Sequence, residues 1–288
     1  MDGIKRTLGV VGLGLIGGSM ALDLRKRGFA DVVLGVEAEP VNAEAALNLG
    51  LVDEVLPLEE CARRCDVLVL AVPVGEASVM LPQVLDIFAD CGDGKIVIDV
   101  CSTKSALVDV VKDHSMRRCY VPTHPMAGTE YSGPWAAQPG LFDGRACIIC
   151  NEDDSDAAAV KLVEALYDCL NMRVIAMDAA NHDVHTAYVS HISHVTSFAL
   201  ALTVLEKEKD EKHIFDLASG GFSSTVRLAK SNADMWVPIL TQNRDNVLRV
   251  MDTYLEMMGR FRKAVDESDE EGIRDLINQA NRIKRILR

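Results

Sequence analysis

Three stretches of this 288-residue chain carry side chains whose types and spacing suit chemistry. The first is Thr123-His124-Pro125-Met126-Ala127-Gly128-Thr129-Glu130, where an imidazole and a carboxylate lie six apart in backbone restrained by Pro125 and bent at Gly128. A neutral imidazole is a base near pH 7, the group needed to take the proton of an alcohol as hydride leaves its carbon. The second is Asp99-Val100-Cys101-Ser102-Thr103-Lys104. Its Ser102 hydroxyl can bond a substrate hydroxyl, orient the imidazole, or cap the next helix. The third is Gly220-Gly221-Phe222-Ser223-Ser224-Thr225-Val226-Arg227-Leu228-Ala229-Lys230, a glycine break running into a helix. Arg227 has the planar fork that grips a carboxylate by both oxygens. Arg227 and Lys230 either reach back to a cleft or belong to a solvated face.

A fourth set sits on one helix. His182, Thr186, Ser190, His194 and Phe198 recur at i,i+4 and so share a side of the cylinder, with His191 a little around it. Such a stripe faces a cleft or consists of hydrogen-bonded core groups. No His-Glu-x-x-His pattern or tight acid cluster accompanies it, so no metal is expected.

These groups need a scaffold that brings them together, and the first half of the chain supplies its pattern. Short aliphatic runs at 7–11, 31–36, 66–71 and 95–99 alternate with helical segments near 15–27, 40–49 and 76–89. That alternation is the signature of a parallel sheet covered on both faces. The turn Gly12-Leu13-Gly14-Leu15-Ile16-Gly17 comes after the first run and opens the first helix, the context a dinucleotide fingerprint requires. Gly12 permits the turn, Gly14 lets a pyrophosphate approach the backbone, and Gly17 lets helix and strand pack closely. The amides of Leu15 and Ile16 at the helix start then face phosphate. Glu37, 25 residues after Gly12, ends the second run; its carboxylate accepts both ribose hydroxyls and repels a 2′-phosphate, which favours NAD. Pro73, which terminates the run at 66–71, completes the expected cofactor set. Residues 95–99 deliver Ser102 to the carboxyl edge of the sheet, where ligands bind in open α/β folds, and a strand at 119–122 delivers His124 to the same edge. A helix near 103–114, a strand at 145–150, a helix ending near 170 and an edge strand at 172–176 complete this half.

The expected fold is α/β: a Rossmann-type, doubly wound, mostly parallel sheet over residues 1–175, then an all-helical domain over 176–288. The second half reads as one helix at 178–205 and further helices near 210–219, 223–232, 234–241, 243–265 and 269–287. Its long Met-rich and Leu-rich segments suit a core shared between two chains, so a homodimer is expected. Acidic residues outnumber Lys and Arg by 43 to 30, a formal net charge of -13, which argues against a nucleic-acid partner. The N-terminus shows no secretion signal, and the apolar stretches are too short or too interrupted to cross a bilayer. The eight cysteines are scattered without Cys-x-x-Cys and suit a reducing compartment; the cytoplasm is the expectation.

In this order, Asp-x-x-Ser-x-Lys, His-Pro-Met-x-Gly-Thr-Glu, Ser-His-x-x-His and Gly-Gly-Phe…Arg-x-Ala resemble the prephenate and arogenate dehydrogenases of tyrosine biosynthesis, from the first strand to about residue 265. The resemblance implies that prephenate and NAD give 4-hydroxyphenylpyruvate, carbon dioxide and NADH. It implies His124 as the base on the ring 4-hydroxyl and Ser102 as its partner at the hydroxyl and cofactor. Arg227 would then grip a substrate carboxylate, Ser190 and His194 would line the pocket, and Glu130 would gate it. The chain departs from the family pattern at four places. Cys101 stands where glycine is usual, which would narrow the turn before Ser102. Ile192-Ser193 replaces Leu-Pro, so the helix should be straighter and fully hydrogen-bonded. Ser224 replaces an aspartate that some members pair with the arginine, and Trp135 is a large group expected to alter pocket width. Neither a chorismate mutase segment nor a C-terminal regulatory domain is expected. The rivals are an arogenate or dual cyclohexadienyl dehydrogenase, a β-hydroxyacid dehydrogenase relying on a lysine such as Lys230, and a non-catalytic NAD-sensing dimer.

Overall fold

Strands buried on both faces need continuous aliphatic runs, and this chain has them in register. A computed structural model describes residues 6–92, 94–209 and 214–286. Its first part runs β1 (Thr7–Val11), α1 (Leu15–Lys26), β2 (Val32–Val36), α2 (Pro40–Asn48), β3 (Glu54–Val55), α3 (Leu58–Arg64), β4 (Val67–Leu70), α4 (Val74–Cys91), β5 (Ile96–Asp99), α5 (Ser105–Val111), β6 (Tyr120–Pro125), β7 (Ala146–Cys150), α6 (Ala157–Cys169) and β8 (Arg173–Met177). They build one sheet in the order β3-β2-β1-β4-β5-β6-β7-β8. Every neighbouring pair is parallel except β6 and β7. The chain order reverses between β1 and β4, the crevice where open α/β sheets take their ligands.

Two apolar layers hold the sheet. Met20 and Leu24 of α1 join Val163 and Leu166 of α6 on one face. Cys61 of α3 and Leu81, Leu85 and Phe88 of α4 cover the other, where Trp236 and Ile239 from later in the chain join them. The two-residue strand β3 and the two-turn α3 were not expected from the sequence; both are too short to show a period.

Beyond β8 come α7 (Ala179–Thr186), a π turn at Ala187–His191, α8 (Ile192–Glu208), α9 (Gly220–Thr225), a 3₁₀ turn at Arg227–Lys230, and α10 (Ala233–Gln242). The expected straight, fully α-helical segment is therefore corrected: residues 179–208 are one continuous helix interrupted by five π residues. A π turn accommodates one extra residue in the ladder, and here its two buried members, Ala187 and His191, are fully enclosed. The expected helix near 210–219 is corrected as well. Residues 210–213 lie outside the described set, and the part that is described holds a single 3₁₀ turn at Phe215–Leu217.

Residues 1–243 and 244–288 form separate compact units. In the second, α11 (Arg244–Asp266) and α12 (Glu270–Ala280) join through Ser268 at φ +52°, and Asp269 caps α12 by accepting from the Gly272 amide at 2.9 Å.

Candidate active site

A cleft of about 890 Å³ opens at the carboxyl edge of the sheet. One end is the glycine turn. Gly12 has φ +89°, and a Cβ on it would lie 2.5 Å from the Ala71 carbonyl; a Cβ on Gly17 would lie 2.1 Å from the Gly12 carbonyl. Both positions exclude a side chain because β1, β4 and α1 converge there. Gly14 differs: its nearest neighbour to an added Cβ is the Gly133 amide at 3.9 Å, so the space beside it is open. No side chain caps α1 and no acid occupies its first turn, leaving the first helical amides available to an anion. This cradle fits a pyrophosphate. Leu15, Ile16 and Pro73 line the same cleft. Glu37 does not; its carboxylate accepts from the Leu13 amide at 3.1 Å and the Glu39 amide at 3.2 Å, which ties the end of β2 to the turn.

At the floor, β5 and β6 bring Ser102 and His124 to one wall. Beneath them Asp99, fully buried, pairs with the equally buried Lys104 ammonium and accepts from Tyr120 Oη at 2.6 Å and the Cys101 amide at 2.9 Å. Burial opposes charge on Lys104, but Asp99 overrides it and the amine stays protonated. Ser102 does not cap α5. That task falls to Asp183 of α7, whose oxygens accept from the Lys104 amide at 2.8 Å and the Ser105 amide at 2.9 Å. Cys101 is enclosed against the Val72 carbonyl, and its thiol is driven well above its ordinary range by burial. His124 is 8 % exposed, and its Nδ1 lies 2.8 Å from Nε2 of His182. Burial, then the charges of His182, Lys104 and His191, hold His124 well below an ordinary histidine, so its ring is neutral.

The opposite wall comes from the helical segment. Ser190, in the π turn, and His194, on α8, line the cleft, whereas His182 is buried behind His124 and Thr186 is buried on the same helix, donating to the His182 carbonyl. The expected one-sided stripe is thus split, because the π turn rotates α8 relative to α7. His194 donates through Nδ1 to the Ser190 carbonyl at 3.1 Å and stacks on Trp236 with ring centroids 3.5 Å apart. Arg227 lines the cleft and pairs directly with Glu130 at 3.1 Å, so Ser224 leaves no break at that pair. The amide of Glu130 and the Arg227 guanidinium hold its carboxyl below the usual range. Trp135 is 63 % exposed and absent from the lining, which corrects the expectation that it sets pocket width. Lys230 is absent too.

The sequence reading missed Arg145, Asn232 and Trp236 in the cleft wall and the contacts of His182 and Asp183. Arg145 carried a readable signal, a cation at the start of an expected strand on the binding edge. Trp236 lies on a short helix that nothing in the local pattern aims at the sheet.

Residues 20–176 match the family model described as prephenate dehydrogenase, nucleotide-binding domain, and residues 178–279 match prephenate dehydrogenase, dimerization domain. A prephenate dehydrogenase of Bacillus subtilis is 30% identical over 279 residues, 95% of this chain and 74% of the relative. A cyclohexadienyl dehydrogenase of Zymomonas mobilis is 27% identical, with 99% of this chain and 97% of the relative covered. The crystal structure of prephenate dehydrogenase from A. aeolicus with hydroxyphenyl propionate and NAD+ superposes with a TM-score of 0.87 at 26% identity, covering 99% of each chain. With both halves matched in order, the chain belongs to the prephenate dehydrogenase family.

Proposed function

We propose that this cleft carries out the NAD-dependent oxidative decarboxylation of prephenate to 4-hydroxyphenylpyruvate in tyrosine biosynthesis, with His124 as the base. The observation that carries the reading is that Ser102, His124 and Arg227, from three distant segments, line one cleft that begins at the glycine turn. NAD, when bound, supplies the hydride-accepting carbon. The chain's own residues orient the substrate and handle one proton. His124, neutral and at the cleft wall, accepts the proton of the ring 4-hydroxyl, and Ser102 bonds the same oxygen. Arg227 grips the side-chain carboxylate, with Ser190 and His194 flanking it and Glu130 holding Arg227 until substrate arrives. Loss of carbon dioxide aromatises the ring, so orientation and a base suffice.

Charge supports an anionic substrate. Arg145 and Arg227 line the cleft against one carboxylate, Glu130, in a chain of net charge -13. Glu130 also motivates a second reading. Beside the carboxylate clamp it can receive the ammonium of arogenate, which makes arogenate an alternative substrate. Glu37, tied to the glycine turn, is assigned to the ribose hydroxyls. In function the chain divides near residue 175 into a nucleotide-binding part and a helical part.

We also infer a homodimer in the cytoplasm. Against the expectation that every apolar stretch is too short or interrupted, the helix at 179–208 is long and apolar enough, by length and composition, to cross a membrane, and little of its apolar stretch is buried in one chain. Its first half packs behind His124 and bears buried His182 and Asp183, which suits a partner chain over the second half better than lipid. The eight cysteines, five of them buried, suit a reducing compartment.

Absorbance at 340 nm with prephenate and arogenate in parallel, each with NAD and NADP, tests the reading. Turnover of prephenate with NAD is expected, and the kcat/KM ratio ranks the two substrates. Folded protein that binds NAD but turns over neither would overturn it.

A further inference from the structure

Behind His124 lies a chain of hydrogen bonds that no step above uses. His124 Nδ1 is 2.8 Å from His182 Nε2, and His182 Nδ1 is 2.9 Å from Asp183 Oδ1. Asp183 is anchored at the start of α5 by the Lys104 and Ser105 amides. All three side chains are buried, with exposures of 8 %, 1 % and 4 %.

We infer that His182 and Asp183 are positioning residues that fix the tautomer of His124 and so make its Nε2 the base. Rested on the reading of His124 above, the inference comes from donor and acceptor counting. Asp183 accepts from the Lys104 and Ser105 amides, and its hydrogen bonds outweigh burial to hold it below the usual carboxylate range, so it carries no proton to offer. His182 Nδ1 must therefore be the protonated nitrogen, donating to Asp183. Neutral His182 then has only a lone pair at Nε2, so the bond to His124 is donated by His124 Nδ1–H. A neutral ring has one N–H, which leaves His124 Nε2 as a lone pair for the cleft. When Nε2 takes the hydroxyl proton, the imidazolium keeps Nδ1–H on His182, and the Asp183 carboxylate two bonds away offsets the charge.

The surrounding charges are compatible with a neutral resting pair. Lys104 from the β5 edge and His191 from the π turn face His124, while Asp183, Asp99 and Lys104 face His182. Burial is the leading cause holding both rings below the ordinary histidine value. The capping carboxylate of α5 and the second histidine are adjacent residues on the first turns of α7.

The tautomer is readable without turnover. Long-range ¹H–¹⁵N spectra of the labelled wild-type protein, with the His124 signal identified by its loss in His124→Asn, are expected to show Nδ1 protonated and Nε2 bare. His182→Ala is expected to lower kcat about 100-fold or more, within the roughly 10²–10⁴-fold that a positioned base contributes, with both KM values within about threefold. Its acid limb should move up toward 6.5 as water enters. His182→Gln, whose Oε1 can accept from His124 Nδ1, is expected to restore about tenfold of the loss. An Nε2–H tautomer in the wild type, or His182→Ala turning over within about threefold of it, would overturn the inference. If instead His124→Asn keeps full activity, the reading of His124 as base fails, whatever its tautomer.

Discussion

His124 works as a base only while neutral, and its surroundings ensure that it is. Because burial, with His182, Lys104 and His191 beside it, holds it well below 6.5, kcat/KM for prephenate should be flat through neutral pH and fall only at acid pH below 6.5, as the ring protonates. An acid limb centred above 6.5 would mean that another group is the base. The Arg227–Glu130 pair sets a second expectation. Both groups are partly exposed, with side-chain exposures of 51% and 20%, so the pair itself is weak and a substrate carboxylate can displace it. Arg227→Lys keeps the charge but loses the fork and should raise KM for prephenate by about tenfold or more with NAD affinity unchanged. Glu130→Gln should leave prephenate turnover within a fewfold of wild type and reduce arogenate kcat/KM if the carboxylate receives an ammonium; parallel assays on both substrates check it. These site residues were legible because each is a chemically loaded side chain in a segment marked by glycine or proline: His124 beside Pro125, Glu130 two after Gly128 and Arg227 six after Gly221. His182 and Asp183 were less so. Their importance lies in what touches them across 58 and 79 residues of sequence, and no local spacing encodes that.

The glycine turn shows how an element carries two demands at once. Gly17 is required by the fold, since its Cβ would meet the Gly12 carbonyl at 2.1 Å, whereas Gly14 has open space. Gly17→Ala should therefore destabilise the protein by about 1–3 kcal/mol through forced separation of α1 from β1. Gly14→Ala should leave thermal stability nearly unchanged and weaken NAD binding by about tenfold or more as the methyl fills the pyrophosphate cradle. Thermal melts with and without NAD, and titration calorimetry, separate the two; a stable Gly17→Ala protein would contradict the packing described. Strands and long helices of the sheet half were legible because burial on both faces demands unbroken aliphatic runs. The π turn was not. Replacing the family's proline by Ser193 argued for regularity, but the ladder is interrupted where Ala187 and His191 are enclosed, and that packing decides the matter. The 3₁₀ turn carrying Arg227 was read as helix for a related reason: the sequence shows apolar spacing, while the hydrogen-bond closure of so short a segment is set by its neighbours.

For the molecule as a whole, buried neutral histidines make stability depend on pH. Burial pushes His191 down to about 4 from 6.5. A depressed folded value means the stabilising contribution is complete above 6.5 and is lost as pH falls toward 4, about 3 kcal/mol from this residue at roughly 1.4 kcal/mol per unit. Denaturant unfolding at pH 7 and pH 4.5 should show the loss, with His191→Asn reducing the difference. The exposed apolar side chains of α8, Leu202 and Leu205, are those the proposed homodimer would cover. Replacing both by glutamate should shift sedimentation from dimer to monomer, and an unchanged profile would remove α8 from the interface. Everything proposed for the cleft converges on one group accepting one proton. The most direct measurement is prephenate-dependent NADH formation by wild type and His124→Asn at saturating NAD, with NAD affinity measured on both. A loss of kcat of about 10²–10⁴-fold with NAD affinity intact is expected; a variant that turns over prephenate at the wild-type rate would show that His124 is not the base.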